Sequence, residues 1–307
     1  FGVKTIGWWG MTETIAHGII GEVDQPNTPM AIGRAAAEYV IRVTDDDGAP
    51  TALGETGNLA IRGIPGGLDS ISPNRHRDIG NVNELLDMIV RVRNLTGKPV
   101  GIKTAIGGRR FLRELCEAIL RRGLDTAPDF IAVDGGEGGS GAAPQALADH
   151  MALSIDEALP RVVDTLIEFG LRERVRVIAA GKLVTSARAA WALACGADFV
   201  NTARGFMFSL GCVQAMRCHQ NTCPTGITTH DPKLQRGLVV EEKYLRVAHY
   251  ARNMNKEIDM IAHACGLRHA REFRREHVRR VQADGRSEAF NMLYPYPEPF
   301  DDKGGVF

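Results

Sequence analysis

VGIKTAIGGRRFLRELCEAILRRGLDTAPDFIAVDGG, residues 100–136, decides the fold class. It begins and ends on short apolar runs, VGIKTA and DFIAVDG. Between them lies RRFLRELCEAILRRG, whose apolar residues recur every three or four positions. That period predicts a helix, and short runs apolar on both faces predict strands of a parallel sheet covered by helices. The alternation continues in both directions. NVNELLDMIVRVRNL (81–95) predicts a helix before the stretch. After it, IDEALPRVVDTLIEFGL (155–171), RVRVIAAG (174–181), SARAAWALACG (186–196) and DFVNTARG (198–205) predict helix, strand, helix and strand. The expected fold is α/β, a βα repeat of the barrel or doubly wound kind, over residues from about 68 to 285.

The flanks differ. Residues 1–67 are rich in Gly, Thr and Asp. Within them YVIRV (39–43) and GNLAIRG (57–63) read as a hairpin turned at DDDGAP (45–50). Residues 241–283 are highly charged and helical in pattern, which predicts an outer helix. Residues 286–307 form a proline-rich tail, which is expected to be extended from YPYPEP (294–299) onward. Lys+Arg and Asp+Glu are both 37, so net charge favours neither nucleic acid nor an anionic membrane as partner. No run approaches the roughly 18 apolar residues of a membrane span. The chain starts at Phe1 without a basic or signal-like leader and reads as an internal piece of a longer sequence. Of six cysteines, three are clustered and three (Cys116, Cys195, Cys265) are scattered, which fits a reducing, cytoplasmic setting with one metal site. Cys195 and Cys265 lie in apolar helical patterns and are expected to be buried.

Three loops at strand ends carry candidate chemistry. DFIAVDG runs into GEGGSGAAP, a loop with Gly135, Gly136, Gly138, Gly139, Ser140 and Gly141. Glycines there let the backbone approach a ligand and offer it N–H groups; a plain βα turn needs only one or two. Gly181 and Lys182 follow the next strand, and Ala203, Arg204 and Gly205 the one after. Paired with two cations, these loops suggest a phosphate-bearing cofactor such as flavin mononucleotide, the alternative being solvated loop ends. Lys103 lies in an apolar strand, where a lysine needs a partner or a task, unless it snorkels from a sheet margin. His76, in SISPNRHRDI (70–79), is a candidate proton carrier or anion contact, although a lone loop histidine is more often neither. GCVQAMRCHQNTCPTG (211–226) holds Cys212, Cys218 and Cys223 with Pro224 after the last. Clustered thiolates select iron–sulfur clusters, zinc or copper(I). A cysteine–proline pair is familiar from ferredoxin-type loops, and the spacing is looser than that of zinc ribbons.

Taken together these motifs resemble the FMN-binding synthase domain of glutamate synthase, and more closely the stand-alone subunits that make glutamate or N-methylglutamate. ISPNRHRDI, VGIKTA, VDGGEGGSGAAP, AAGKLVTS, NTARGFMFSLGC and GCVQAMRCHQNTCPTGITTHDP occur in the family's order. The resemblance implies a TIM-type βα barrel. It assigns the active-site lysine to Lys103 and FMN contacts to the glycine loop and to the Gly181–Lys182 and Ala203–Arg204 loops. It assigns a [3Fe–4S] cluster to Cys212, Cys218 and Cys223. Electrons would pass from a donor protein or reductase subunit through the cluster to FMN. A hydride would then reach an imine of 2-oxoglutarate and ammonia or an amine, the nitrogen being free or delivered by a glutaminase-type subunit. The family's first strands have no counterpart in residues 1–67, so a partial barrel of roughly five of eight strands is expected.

Residues 1–67 instead resemble a piece of an adenylate-forming acyl-CoA ligase, through GWWGMTET (7–14) and the hairpin region at 29–63. That family's roles would fall on Trp9 for stacking adenine, Thr12 for phosphate and Glu13 for magnesium. Its later motifs are missing, so an ATP-dependent ligase is the weaker reading. A non-catalytic electron-transfer subunit is the third.

Overall fold

A computed structural model describes residues 78–139 and 146–297, together with short backbone segments at 8–10, 17–20, 34–35, 42–44, 49 and 58–60. The chain divides into two compact units, Phe1–Ile79 and Gly80–Phe307. In the first, β1 (Trp8–Gly10), β2 (His17–Ile20) and β3 (Arg34–Ala35) form an antiparallel sheet. The expected hairpin is present as β4 (Arg42–Thr44) against β5 (Asn58–Ala60), with Val43 opposite Leu59.

The second unit opens with α1 (Val82–Thr96). The Asn81 side chain caps its first turn by accepting the Glu84 N–H at 3.1 Å, and Gly97, at φ 62°, ends it. Then come β6 (Ile102–Ala105), α2 (Arg109–Arg122), β7 (Phe130–Asp134), α3 (Ile155–Glu168), β8 (Arg176–Ala180), α4 (Ser186–Ala194), β9 (Phe199–Asn201) and α5 (Ala203–Leu210). Those from α1 to β9 follow the alternation read from the sequence, whereas α5 begins inside DFVNTARG, which the sequence pattern predicts as strand. In α2 the buried positions are Leu112, Leu115, Cys116, Ala118 and Ile119, the three-and-four spacing of a single face. They pack with Leu86 and Ile89 of α1, Leu159, Val162 and Leu166 of α3, and Ile131, Val133 and Val177 of the sheet.

β6, β7, β8 and β9 form one parallel sheet in chain order. Over these strands the order shows no reversal, the point at which a doubly wound sheet places its ligand crevice. The register sets Ala105, Asp134, Ala180 and Asn201 side by side, bringing all four carboxyl ends to one level. At the opposite end β8 and β9 are tied by a buried ion pair. Asp198, 2% exposed, meets Arg172 at 2.8 Å and also accepts the Val177 N–H at 2.7 Å. Arg172 further donates to the Gly196 carbonyl.

Two expectations need correction. The charged stretch after 241 is not one helix. After α6 (Pro232–Gln235), α7 (Val240–Ala264) stops before Gly266, which sits at φ 78°. Short 3₁₀ turns and β10 (Arg279–Val281) follow. Cys265, expected to be buried, is exposed because it falls at that helix end. Ahead of the YPYPEP run at 294–299, the tail holds secondary structure. β11 (Ser287–Ala289) pairs with β10, and α8 (Phe290–Leu293) drives Phe290 into the core at 1% exposure, edge-on to Trp191. Arg275, wholly buried, fastens this return by pairing with Asp164 of α3 at 2.6 Å and donating to the Tyr294 carbonyl.

Asp198→Ala leaves the Arg172 charge buried without its carboxylate, and a loss of about 3–5 kcal/mol is expected in urea unfolding.

Candidate active site

A cavity of about 490 Å³ opens at the carboxyl ends of the sheet, within the size range of small-molecule sites. Lys103 of β6 and Asp134 of β7 stand on one side of it; Gly138 and Gly139 follow β7. Gly181 and Lys182 follow β8, and Ala203 and Arg204 open α5. Cys212, Cys218 and Cys223 line the remaining wall. Residues from four strand ends and one cysteine loop therefore share a single chamber. His76, Ser140, Gly141, Thr12 and Glu13 lie outside the described residues, and of Trp9 only the backbone is described, in β1.

Lys103, on the terminal strand of this sheet, has a partner. Its ammonium meets the Asp134 carboxylate at 2.8 Å across adjacent strands, with 64% of its side chain exposed toward the opening. Gly135 and Gly136 lie beneath the cavity, buried, and do not line it. A Cβ on Gly136 would stand 2.6 Å from the Met151 carbonyl oxygen, so glycine is needed there for chain packing. Glu137 lines the cavity, and its carboxylate accepts the first amide of α3, that of Ile155, at 2.9 Å; its other oxygen is buried without a hydrogen bond. Gly181 has φ 149°, and a Cβ there would meet Ile155 and Glu137, so the β8 loop closes on the β7 loop only as glycine.

The loop cations converge with a helix end. The Lys182 ammonium is held by both oxygens of Asp149, at 2.6 and 2.8 Å. That hydrogen bond holds the Asp149 carboxyl below the usual carboxylate range, aided by the charges of Lys182, His150 and Arg204. Arg204 donates to the Gly139 carbonyl at 2.8 Å. Thr202, the N-cap of α5, makes no side-chain cap bond; its hydroxyl pairs with Tyr250 instead. The first amides of α5 thus remain available at a cavity wall that carries two cations, an arrangement suited to a phosphate group. The residues present fit the phosphate end of FMN.

The cysteine wall has the donor chemistry of a metal cluster but not its convergence. All three thiols are free, yet among the described residues no three His, Cys, Asp or Glu side chains are grouped to hold a metal ion. Each end of the loop is locally engaged: the Cys212 sulfur accepts the Gln214 N–H, and the Cys223 thiol pairs with the Thr225 hydroxyl at 3.4 Å. Gln214, Met216 and Asn221 hold positive φ, so the loop's path is strained between the thiols. Burial acts to raise the Cys223 thiol, but the Thr225 hydroxyl and the amides of Thr228 and Thr225 outweigh it and bring it down to about 6. By contrast, burial pushes Cys116 up to about 12 and raises Cys195 as well, as inert structural thiols require.

The conserved region of glutamate synthase matches residues 58–268. The chain belongs to the glutamate synthase family. The match starts at β5, ahead of the boundary near residue 68 read from the sequence. Among its relatives, the glutamate synthase large subunit-like protein YerD of Bacillus subtilis is 46% identical over 226 residues, covering 73% of this chain and 42% of that protein. The archaeal glutamate synthase [NADPH] of Methanocaldococcus jannaschii is 34% identical over 211 residues, covering 68% and 40%. The chain therefore spans about two fifths of the length of these curated relatives. A flavocytochrome b2 mutant with pyruvate bound overlaps at TM-score 0.36 and 16% identity, over 62% of this chain and 36% of that one, too slight a likeness to carry an argument. Among the described residues no helix is long and apolar enough to cross a membrane.

Reading motifs along the chain found Lys103, the two loop cations and the cysteines but missed Asp134, Glu137 and Asp149. Asp134 offered a signal, an acidic residue at the carboxyl end of an apolar strand. Asp149 offered none, because its partner lies 33 positions away.

With metal and sulfide stripped, Cys223 is expected to react with iodoacetamide as a thiolate, its rate rising through a midpoint near pH 6. Thr225→Val, which removes the hydroxyl, should move that midpoint upward in mass-spectrometric alkylation kinetics.

Proposed function

We propose that this chain forms the flavin- and cluster-binding part of a glutamate synthase-type oxidoreductase, built on the later strands of a TIM-type βα barrel. One observation carries the reading: a single cavity joins Lys103, the β7 glycine loop, the Lys182–Arg204 cations at the uncapped start of α5, and all three clustered cysteines. Family membership supports it. The order of β6 to β9, without reversal, suits a barrel, whose ligands gather at the carboxyl ends of the strands.

FMN, when bound, supplies hydride transfer to an imine of 2-oxoglutarate and ammonia or an amine. Lys182, Arg204 and the first amides of α5 would hold its phosphate, with Gly138, Gly139 and Gly181 giving the backbone close approach. Lys103 would hold the substrate carboxylate by a charge-assisted hydrogen bond, with Asp134 fixing the direction of its ammonium. Cys212, Cys218 and Cys223 would hold a [3Fe–4S] cluster, with Cys212 and Cys223 leaving the separate hydrogen bonds they make here. A donor protein or reductase subunit, and a source of nitrogen such as a glutaminase-type subunit, complete the reading.

Anaerobic purification followed by flavin, iron and sulfide analysis tests it. FMN with iron and sulfide is expected, while zinc in place of iron, or no flavin, would overturn the assignment. Lys103→Gln should retain flavin but weaken 2-oxoglutarate binding about 10- to 100-fold, the worth of one hydrogen bond to a charged group, read from the substrate's perturbation of the flavin spectrum.

A further inference from the structure

The turn at 146–150 places a carboxylate where the positive groups of the cavity meet. Asp149 and Lys182 come from different loops, and both are non-glycine residues at positive φ, 65° and 46°. Side chains rarely adopt that backbone, so both positions are held by their surroundings. The Asp149 N–H donates to the Gly136 carbonyl at 2.8 Å, and the Gly136 N–H donates to the Leu153 carbonyl at 2.7 Å, pinning the turn to the glycine loop. Gly181, immediately before Lys182, is itself wedged against Ile155 and Glu137. Two constrained backbones thus aim opposite charges at each other beside Arg204 and the open end of α5.

We propose that Asp149 is an internal stand-in for phosphate, a specificity-determining residue that weakens the site's hold on phosphorylated flavin while leaving its hold on the unphosphorylated flavin untouched. The inference rests on the flavin reading above. The pair is half exposed, 54% at Asp149 and 39% at Lys182, so it is weak enough to be exchanged. A dianionic phosphate makes stronger charge-assisted bonds to the same lysine, yet must either displace the carboxylate or sit beside it. Both alternatives lower affinity for FMN. Riboflavin, having no phosphate, meets neither.

Asp149→Asn removes the charge and keeps the shape, and asparagine tolerates left-handed backbone better than most residues. The flavin-free full chain and its variant are titrated with FMN and with riboflavin by flavin fluorescence, and with inorganic phosphate by calorimetry. FMN is expected to bind about 2- to 5-fold more tightly to the variant, the range of an exposed charge pair. Phosphate should tighten likewise, riboflavin should not change, and added salt should shrink the difference. Unchanged or weaker FMN binding, or equal tightening of riboflavin, would overturn the proposal. If the wild-type chain binds neither flavin, the flavin reading fails by itself. The phosphate titration then still judges Asp149, and equal or absent phosphate binding in both proteins would sink it. Should the asparagine variant not fold, Asp149→Gly, free to take the same φ, replaces it.

Discussion

The parallel register of β6 to β9 is the constraint on which the rest depends. Because Ala105, Asp134, Ala180 and Asn201 stand in one row, the loops that leave these strands start from one level and can share a cavity. A slip of one residue in any pair would turn Lys103 or Asp134 to the other face of the sheet, since side chains alternate with period two. The register is protected where it cannot interfere with the site. At the opposite end, Asp198 binds Arg172 and the Val177 amide together, so β9 cannot slide against β8 without breaking a buried charge pair.

The charged groups of the cavity are set in opposed pairs on a largely apolar lining. Lys103 faces Asp134, Lys182 faces Asp149, and Arg204 is spent on a glycine-loop carbonyl. Each cation therefore has an internal partner that an anionic ligand must replace or share. Such pairing keeps a cluster of positive groups from repelling itself and makes ligand binding an exchange of partners. Glu137 plays the complementary structural part, bridging the β7 loop to the start of α3 and requiring glycine on both sides of its carboxylate.

Legibility followed the range of the interactions. The helices and strands of the second unit were readable because burial repeats every three or four residues in α2 and over contiguous residues in β7. Failures came where distant residues decide. Nothing local in the proline-rich tail signals that Phe290 will be buried against Trp191, or that Arg275 will be wholly enclosed with Asp164. Cys265 has an apolar helical neighbourhood but lies at the helix end, where Gly266 turns the chain into solvent. The five-glycine loop reads as one ligand cradle, whereas its first two glycines serve the packing of the chain and Gly138 and Gly139 reach the cavity.

By itself the sequence determined the α/β class, the order of the elements, the family and the identity of the chemical groups: one lysine in a strand, two loop cations, three clustered thiols. These are properties of residue type and short spacing, which hydrophobic period and motif order express directly. Only the tertiary structure decided which groups face each other. The pairing of Lys103 with Asp134, the seat of Asp149 on Lys182 and the hydrogen bonds of the Cys223 thiol depend on strand register and loop path. Coulombic and hydrogen-bond energies fall off within a few ångströms, and no spacing along the chain encodes which distant residues come that close.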